Sequence, residues 1–365
     1  MTKTILDAVY GCLIGGAIGD SMGAPVEGWT YWEIHEKHGR ITDLLPNPRK
    51  NSNQLPGGIT DDTALRTYLA LAIIRKQGRI TPDDLAAPWV EKGSARRFWA
   101  NERAVTEKLT WAMDPWDTGR GADQCGTGTM AIAPVGIINA GDPRQAFQDG
   151  FNIASVNQDG AERPAAGTMA AGVAHALLPG ATVDSLTQCM YENSNFLMKR
   201  AIDLTMDVKA RSASLAEFIE KYYIELIDWF FPRPLHRLNQ VPAGYPKKAM
   251  YYSGSSLEMI PVSLALMSYT NGDVNEGMIE GTNFGRDCDT IASIIGCLAG
   301  ALQGASAIRK EWIDLAETNN RDLFEEIEQN PDANFLSQAE RLVAALQQER
   351  RALRQRAALL DSWLD

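Results

Sequence analysis

Two short stretches carry residues able to do metal or acid–base chemistry. In 57-GGITDDT-63, Thr60, Asp61 and Asp62 stand just before an apolar run. In 285-GRDCDTIASIIG-296, Asp287, Asp289 and Thr290 stand in the same relation to a second apolar run. Glycines precede both: Gly57 and Gly58 the first, Gly281 and Gly285 the second. One reading is capping, since Asp and Thr oxygens accept from the free N–H groups of a helix start and the helix dipole favours a carboxylate there. Capping accounts for one acid per helix. It does not account for two or three oxygen ligands at each of two apolar helices, where the carboxylates would repel one another. Hard divalent cations neutralise such a set: Mg²⁺ prefers octahedral oxygen coordination and Mn²⁺ takes the same ligands. Two ions about 4 Å apart could share Asp289 as a bridge, orient a hydroxylated substrate and polarise a water. Spacing cannot show that the two clusters meet, so both readings stand at this point. Neither cluster has the twelve-residue ligand series of an EF-hand.

These residues need elements to position them, and helical signals dominate. Leu65, Tyr68, Leu69, Ala72 and Ile73 are at helical spacing across 64–74, as are Ile291, Ile294, Ile295, Leu298, Ala299 and Leu302 across 291–302. Further helices are predicted around 82–92, 98–111, 129–139, 143–155, 165–177, 183–191, 214–228 and 256–268. In the first helix Gly11, Gly15, Gly19 and Gly23 recur every four residues, a stripe that predicts close backbone packing or approach to a ligand. The stretch 19-GDSMGAPVEGW-29 reads as a turn. Strand signals are few, which disfavours an α/β sheet. Segments 40–58, 112–128 and 231–248 are long Gly- and Pro-rich loops of the kind that carry sites. The expected fold is all-α and compact, one domain over 1–345 with a C-terminal helical extension over 346–365. In the extension Leu346, Leu353 and Leu360 repeat every seven residues, but Glu349 and Arg356 fall on the companion seam. A surface helix and a self-association helix both fit.

Bulk composition excludes several classes. The chain has 365 residues, 45% of them hydrophobic, enough for a sizeable core. A formal charge of −11 argues against binding a nucleic-acid backbone. The five cysteines are odd in number and form no Cys-x-x-Cys pair, which argues against a disulfide framework or structural zinc and for a reducing, cytoplasmic setting. The N-terminal apolar stretch, interrupted by Asp7 and Asp20, reads as too short and too broken for a membrane span. No membrane partner is expected.

Three segments, 15-GGAIGDSMGAPVE-27, 57-GGITDDT-63 and 285-GRDCDTIASIIGCLAGALQG-304, resemble the motifs of the ADP-ribosylglycohydrolase (DraG-like) family, in the same order. The resemblance runs from about residue 5 to about residue 345. It implies an all-α domain with a site for two divalent cations, Mg²⁺ or Mn²⁺, that cleaves the N- or O-glycosidic bond at ribose C1 of ADP-ribose on a protein or small acceptor. Thr60, Asp61 and Asp62 match the first metal motif, and Asp287, Asp289 and Thr290 the second. Glu27 matches the acid that acts on the attacking water or shuttles a proton, with Asp62 as a second candidate for the proton transfers. Glu27 between Pro25 and Gly28 also reads as an ordinary turn glutamate. Asp20, at a glycine-rich corner, reads as a structural hydrogen-bonding group.

The departures from the family pattern bear on the leaving group. Where relatives carry Gly-Asn-Gly-x-x-Met-Arg, this chain has 126-GTGTMAIAP-134, with Thr127 for Asn and Ala131 where the arginine would stand. Thr127, Gly128 and Thr129 could offer N–H and hydroxyl groups to an anion at a helix start, or simply cap it. Asn157 lies near the place of a Thr-His or Ser-His pair, without an imidazole. Arg286 replaces a glycine of Gly-Gly-Asp-x-Asp-Thr; it pairs with Asp287 or meets a substrate phosphate or carboxylate. Tyr251, Tyr252 and Ser253 match the region lining the family's adenosine-side pocket. The expected partner is an ADP-ribosylated protein or a small ribosyl metabolite. The alternatives are an N-ribosidase of a nucleoside-like metabolite and a non-catalytic ADP-ribose-binding protein.

Overall fold

A computed structural model describes residues 3–48, 52–93, 97–226, 254–330 and 332–364. Tyr251, Tyr252 and Ser253 lie outside the described residues. The chain order begins with α1 (Ile5–Gly23), α2 (Tyr31–His38), α3 (Asp61–Lys76), α4 (Pro82–Lys92) and α5 (Ala100–Thr110). Two short helices, α6 (Thr127–Ala131) and α7 (Ala133–Ile138), precede α8 (Pro143–Ile153) and α9 (Glu162–Ala176). Then come α10 (Val183–Glu192), α11 (Phe196–Ala210), α12 (Leu215–Glu225), α13 (Ser256–Tyr269), α14 (Val274–Phe284) and α15 (Cys288–Gln303). The last are α16 (Lys310–Asn319), α17 (Arg321–Glu328) and α18 (Phe335–Leu364). Among the described residues the only extended pairings are isolated bridges, Thr30 with Gly285 and Pro46 with Pro56. The fold is all-helical, with one large hydrophobic core drawing on helices from α1 through α18.

The glycine stripe sets the central packing. A Cβ at Gly15 would stand 2.4 Å from the Gly296 carbonyl oxygen, and one at Gly19 would stand 2.1 Å from that of Ala292. The facing helix answers in kind, since a Cβ at Gly300 would lie 2.1 Å from the Gly11 oxygen. The partners run backwards along α15 as they run forwards along α1. The two helices are therefore antiparallel and touch backbone to backbone, a distance only missing side chains permit.

The turn read at 19–29 is corrected by this packing. α1 continues to Gly23 and gives way to a 3₁₀ turn at Ala24–Val26, where Pro25 ends the helix. The glycines that read as turn punctuation are contact residues. Another correction concerns length: Ile5–Val26 is long and apolar enough to cross a membrane, yet 78% of its most apolar window is buried inside the protein. The helix predicted over 129–139 is two, broken at Ile132 because Pro134 opens α7. Helices α2, α11, α14, α16 and α17 were not expected from the periodicity. α18 is continuous over 30 residues; Leu346 is buried, while Leu353 and Leu360, on the same heptad, are exposed.

Candidate functional site

The α1–α15 contact brings the first acidic residues together. Its last member, Gly23, lies so close to α15 that a Cβ there would be 2.4 Å from the Asp289 Cα. The chain leaving α1 then pairs with the chain entering α15. The Gly28 N–H donates to the Arg286 carbonyl (2.7 Å), and the Arg286 N–H donates to the Trp29 carbonyl (2.6 Å). Gly28 and Gly285 take φ of 83° and 80°, values glycine adopts without strain. Arg286, at φ 66°, has no such freedom. The two backbone bonds and a buried ion pair hold it there: its guanidinium meets the Glu258 carboxylate through Nε, and through Nη2 at 2.7 Å. One carboxylate oxygen each from Glu27, Asp287 and Asp289 consequently lie within 4.8 Å of one another.

The other cluster is delivered by α3, and the cap of that helix is Asp20 from α1. Fully buried, Asp20 accepts from the Thr60 N–H (3.1 Å) and hydroxyl (2.8 Å) and from the Thr63 N–H (3.1 Å) and hydroxyl (2.6 Å). The capping reading thus belongs to Asp20, leaving Asp61 and Asp62 in the first turn free of that task. Asp61 Oδ1 accepts from the Trp99 indole N–H at 3.0 Å. Asp62 Oδ1 is buried with no hydrogen bond among the described residues. A buried carboxylate oxygen without a donor is what a cation ligand looks like before its cation is counted.

Both clusters open on one cavity of about 430 Å³. Glu27, Asp61, Asp62, Asp287 and Asp289 form its acidic wall, with Thr290 beside them. The N-terminal end of α5, Asp123 and residues 125–127 form much of the rest. The electrostatics record the meeting. Burial pushes the Asp61 carboxyl well above the usual carboxylate range, and Glu102 and Asp289 push it further. Asp62 is raised well up by burial, then by Asp20 and Asp289; Asp287 by burial, then by Asp289. Carboxylates this crowded hold protons or bind a cation. Oxygen-only donors, several acids and an orphaned oxygen fit a hard divalent ion. Glu27, Asp287 and Asp289 are the candidate ligands, with Asp61 and Asp62 in the same cavity.

Other sequence-selected residues sit elsewhere. Thr127 lines the cavity, but Thr60 does not: it is buried, with its hydroxyl donating to Asp20. Thr129 is buried, its hydroxyl 2.7 Å from that of Ser256. Gly128 and Asn157 lie against each other and do not line the cavity, a Cβ at Gly128 standing 3.5 Å from Asn157 Oδ1. Arg286 is a correction: its partner is Glu258 rather than Asp287, and it is absent from the cavity wall. Glu258 lies in the first turn of α13, where a two-pronged carboxylate meets the guanidinium fork. The sequence reading missed Trp99, Asn101, Glu102, Asp123 and Cys125, all on the wall. In 97-RFWANERAV-105, Glu102 looks like a helix-start glutamate, and it does accept from the Trp99 N–H at 2.9 Å. No local signal separates that capping role from a place in the cavity.

Residues 1–352 match the sequence profile of the family described as ADP-ribosylglycohydrolase. An uncharacterized protein of Archaeoglobus fulgidus is 27% identical over 321 residues, covering 87% of this chain and 93% of its own. The uncharacterized protein YegU of Escherichia coli is 24% identical over 317 residues, covering 83% and 89%. A solved structure titled "ADP-ribosylglycohydrolase-related protein complex" superposes with a TM-score of 0.60 at 20% identity, covering 95% of this chain and 98% of that one. At that identity the likeness is one of fold.

Proposed function

The chain belongs to the ADP-ribosylglycohydrolase family, and from that premise we propose that it is a divalent-cation-dependent hydrolase of the glycosidic bond at ribose C1. The substrate class is an ADP-ribosyl or related ribosyl compound, on a protein or a small acceptor. The observation that carries the proposal is the convergence of Glu27, Asp287 and Asp289 with Asp61 and Asp62 in one cavity. The segments that supply them lie far apart in sequence, and helix capping does not require that they meet.

In this reading Glu27, Asp287 and Asp289 would hold one cation, and Asp61, Asp62 and Thr290 would supply ligands to a second together with Asp289; Thr60, whose hydroxyl is committed to Asp20, is not among them. Bound Mg²⁺ or Mn²⁺ neutralises the acids and lends Lewis acidity toward ribose hydroxyls and water. Glu27 takes a proton from the attacking water, whose oxygen bonds to C1 as the bond from C1 to the leaving nitrogen or oxygen breaks. The leaving atom receives the proton that Glu27 took, with Asp62 the second group proposed to relay it. Positive charge developing at C1 is favoured by the surrounding carboxylates.

The test is a panel of ADP-ribosylated protein, ADP-ribosyl small molecules and nucleosides with Mg²⁺ or Mn²⁺, with Glu27→Ala and Asp289→Ala as controls. Release of a ribosyl product that both substitutions abolish is expected. Turnover of nucleosides alone would move the substrate to small N-ribosides. Tight ADP-ribose binding without turnover would make the protein a binder.

A further inference from the structure

α18 leaves the body of the molecule after Glu349, whose carboxylate accepts from the Arg79 N–H at 3.4 Å. Every residue from Arg350 to Leu364 is exposed, yet one face of this stretch is apolar. Leu346, Leu353 and Leu360 form a row at seven-residue spacing. Four residues on from each stand Arg350, Ala357 and Leu364, the second row of a coiled-coil seam. Leu346 is buried against the body, and the seam continues past it with Leu353, Leu360 and Leu364 uncovered. Arg354 and Asp361 flank the seam on one side, and Glu349, Arg356 and Trp363 flank it on the other. Trp363 is 84% exposed. A helix of this length standing in water is marginal by itself, and covering its apolar face would stabilise it.

We propose that the overhang of α18 is an interaction surface for a second copy of this chain, with the two overhangs packed antiparallel. The direction follows from the body. At Leu346 the seam is covered by the chain's own core, so a parallel partner would bring its body to the level this one already occupies. An antiparallel partner places its body beyond the far end. In that direction Leu353 meets the partner's Leu364 and Ala357 meets the partner's Leu360, each contact made twice by symmetry. Arg350 falls outside the overlap. The side carrying Arg354 and Asp361 then faces itself, and Arg354 lies about 3 Å along the axis from the partner's Asp361. On the other side Arg356 comes beside the partner's Trp363, a guanidinium against an indole. The charges beside the seam are thus complementary to those of a second copy.

Sedimentation velocity on the full chain over about 1–200 µM tests this, because so small an interface dissociates on dilution. The residues changed are exposed and carry no core packing, and circular dichroism checks that each variant is folded. The wild type shifts from monomer toward dimer as its concentration rises. Leu360→Arg abolishes the shift, since it sets a charge in the seam twice. Arg354→Asp and Asp361→Arg, each alone, weaken the dimer about tenfold by setting like charges opposite one another. Combined, they restore it to within about threefold, because the ion pair re-forms with its signs exchanged. In a parallel dimer the same double variant sets like charges against Glu349 and Arg356 and does not recover. A wild type that stays monomeric to about 200 µM overturns the proposal; co-sedimentation of that monomer with anionic lipid vesicles would assign the face to a membrane instead. A dimer that Leu360→Arg leaves intact overturns the choice of surface. A double variant that does not recover overturns the antiparallel pairing.

Discussion

At the scale of single residues, the acids divide by what surrounds them. Asp20 is a structural acid: four donors converge on it, so its burial is compensated. Asp20→Ala would leave the first turn of α3 uncapped inside the core and should cost about 2–4 kcal/mol in denaturant unfolding. Arg286 is structural too, and Arg286→Met should destabilise by about 3–5 kcal/mol because Glu258 would remain buried and unpaired. Asp61, Asp62 and Asp287 have few such compensations, and burial raises all three. Their folded pKa values exceed the unfolded ones. Their contribution to stability is thus fully present below the ordinary carboxylate range, near ~4, and is lost as pH rises through the raised values. Chelator-treated protein should therefore lose Tm as pH rises from about 5 to about 8, and added Mg²⁺ should restore more at the upper end, where it no longer competes with protons. A Tm insensitive to Mg²⁺ across that range would count against a cation site.

At the scale of elements, the α1–α15 contact governs the site. Gly19→Ala would drive a methyl to 2.1 Å from the Ala292 oxygen, a backbone atom that cannot step aside. The helices must part, at a cost of about 3 kcal/mol or more. Because Glu27 and Asp289 sit at the end of that seam, the same substitution should weaken Mg²⁺ binding in the protein that still folds, as calorimetry would show. This seam was half legible in the sequence. The four-residue glycine period pointed to close packing or a ligand, but the helix facing it could not be named. Glycines at 277 and 281 similarly dilute the apolar pattern of α14, because they too admit neighbours: a Cβ at Gly281 would lie 2.9 Å from the Ala292 Cα.

At the scale of the molecule, α18 runs past the body, with Arg350 to Leu364 exposed along its length. Removing residues 350–365 should leave Tm within about 2 °C, since those side chains contribute little burial. Light scattering on the same pair of proteins tests the proposed self-association through this helix; equal masses would reject it.

The residue types alone carried a good deal. Oxygen ligands before two apolar runs, few β-branched runs and long Gly- and Pro-rich loops were enough to expect an all-α protein with hard-cation chemistry, and their order resembled one family. Those properties are local, written in composition and period. Which acids share a cavity, which acid only caps, and which arginine is locked away were decided by the tertiary structure. Asp20 and Asp62 are the same residue type at neighbouring helix ends. Only the four donors around one and the donorless oxygen of the other tell them apart, and those environments are assembled from chain segments that sequence spacing does not relate.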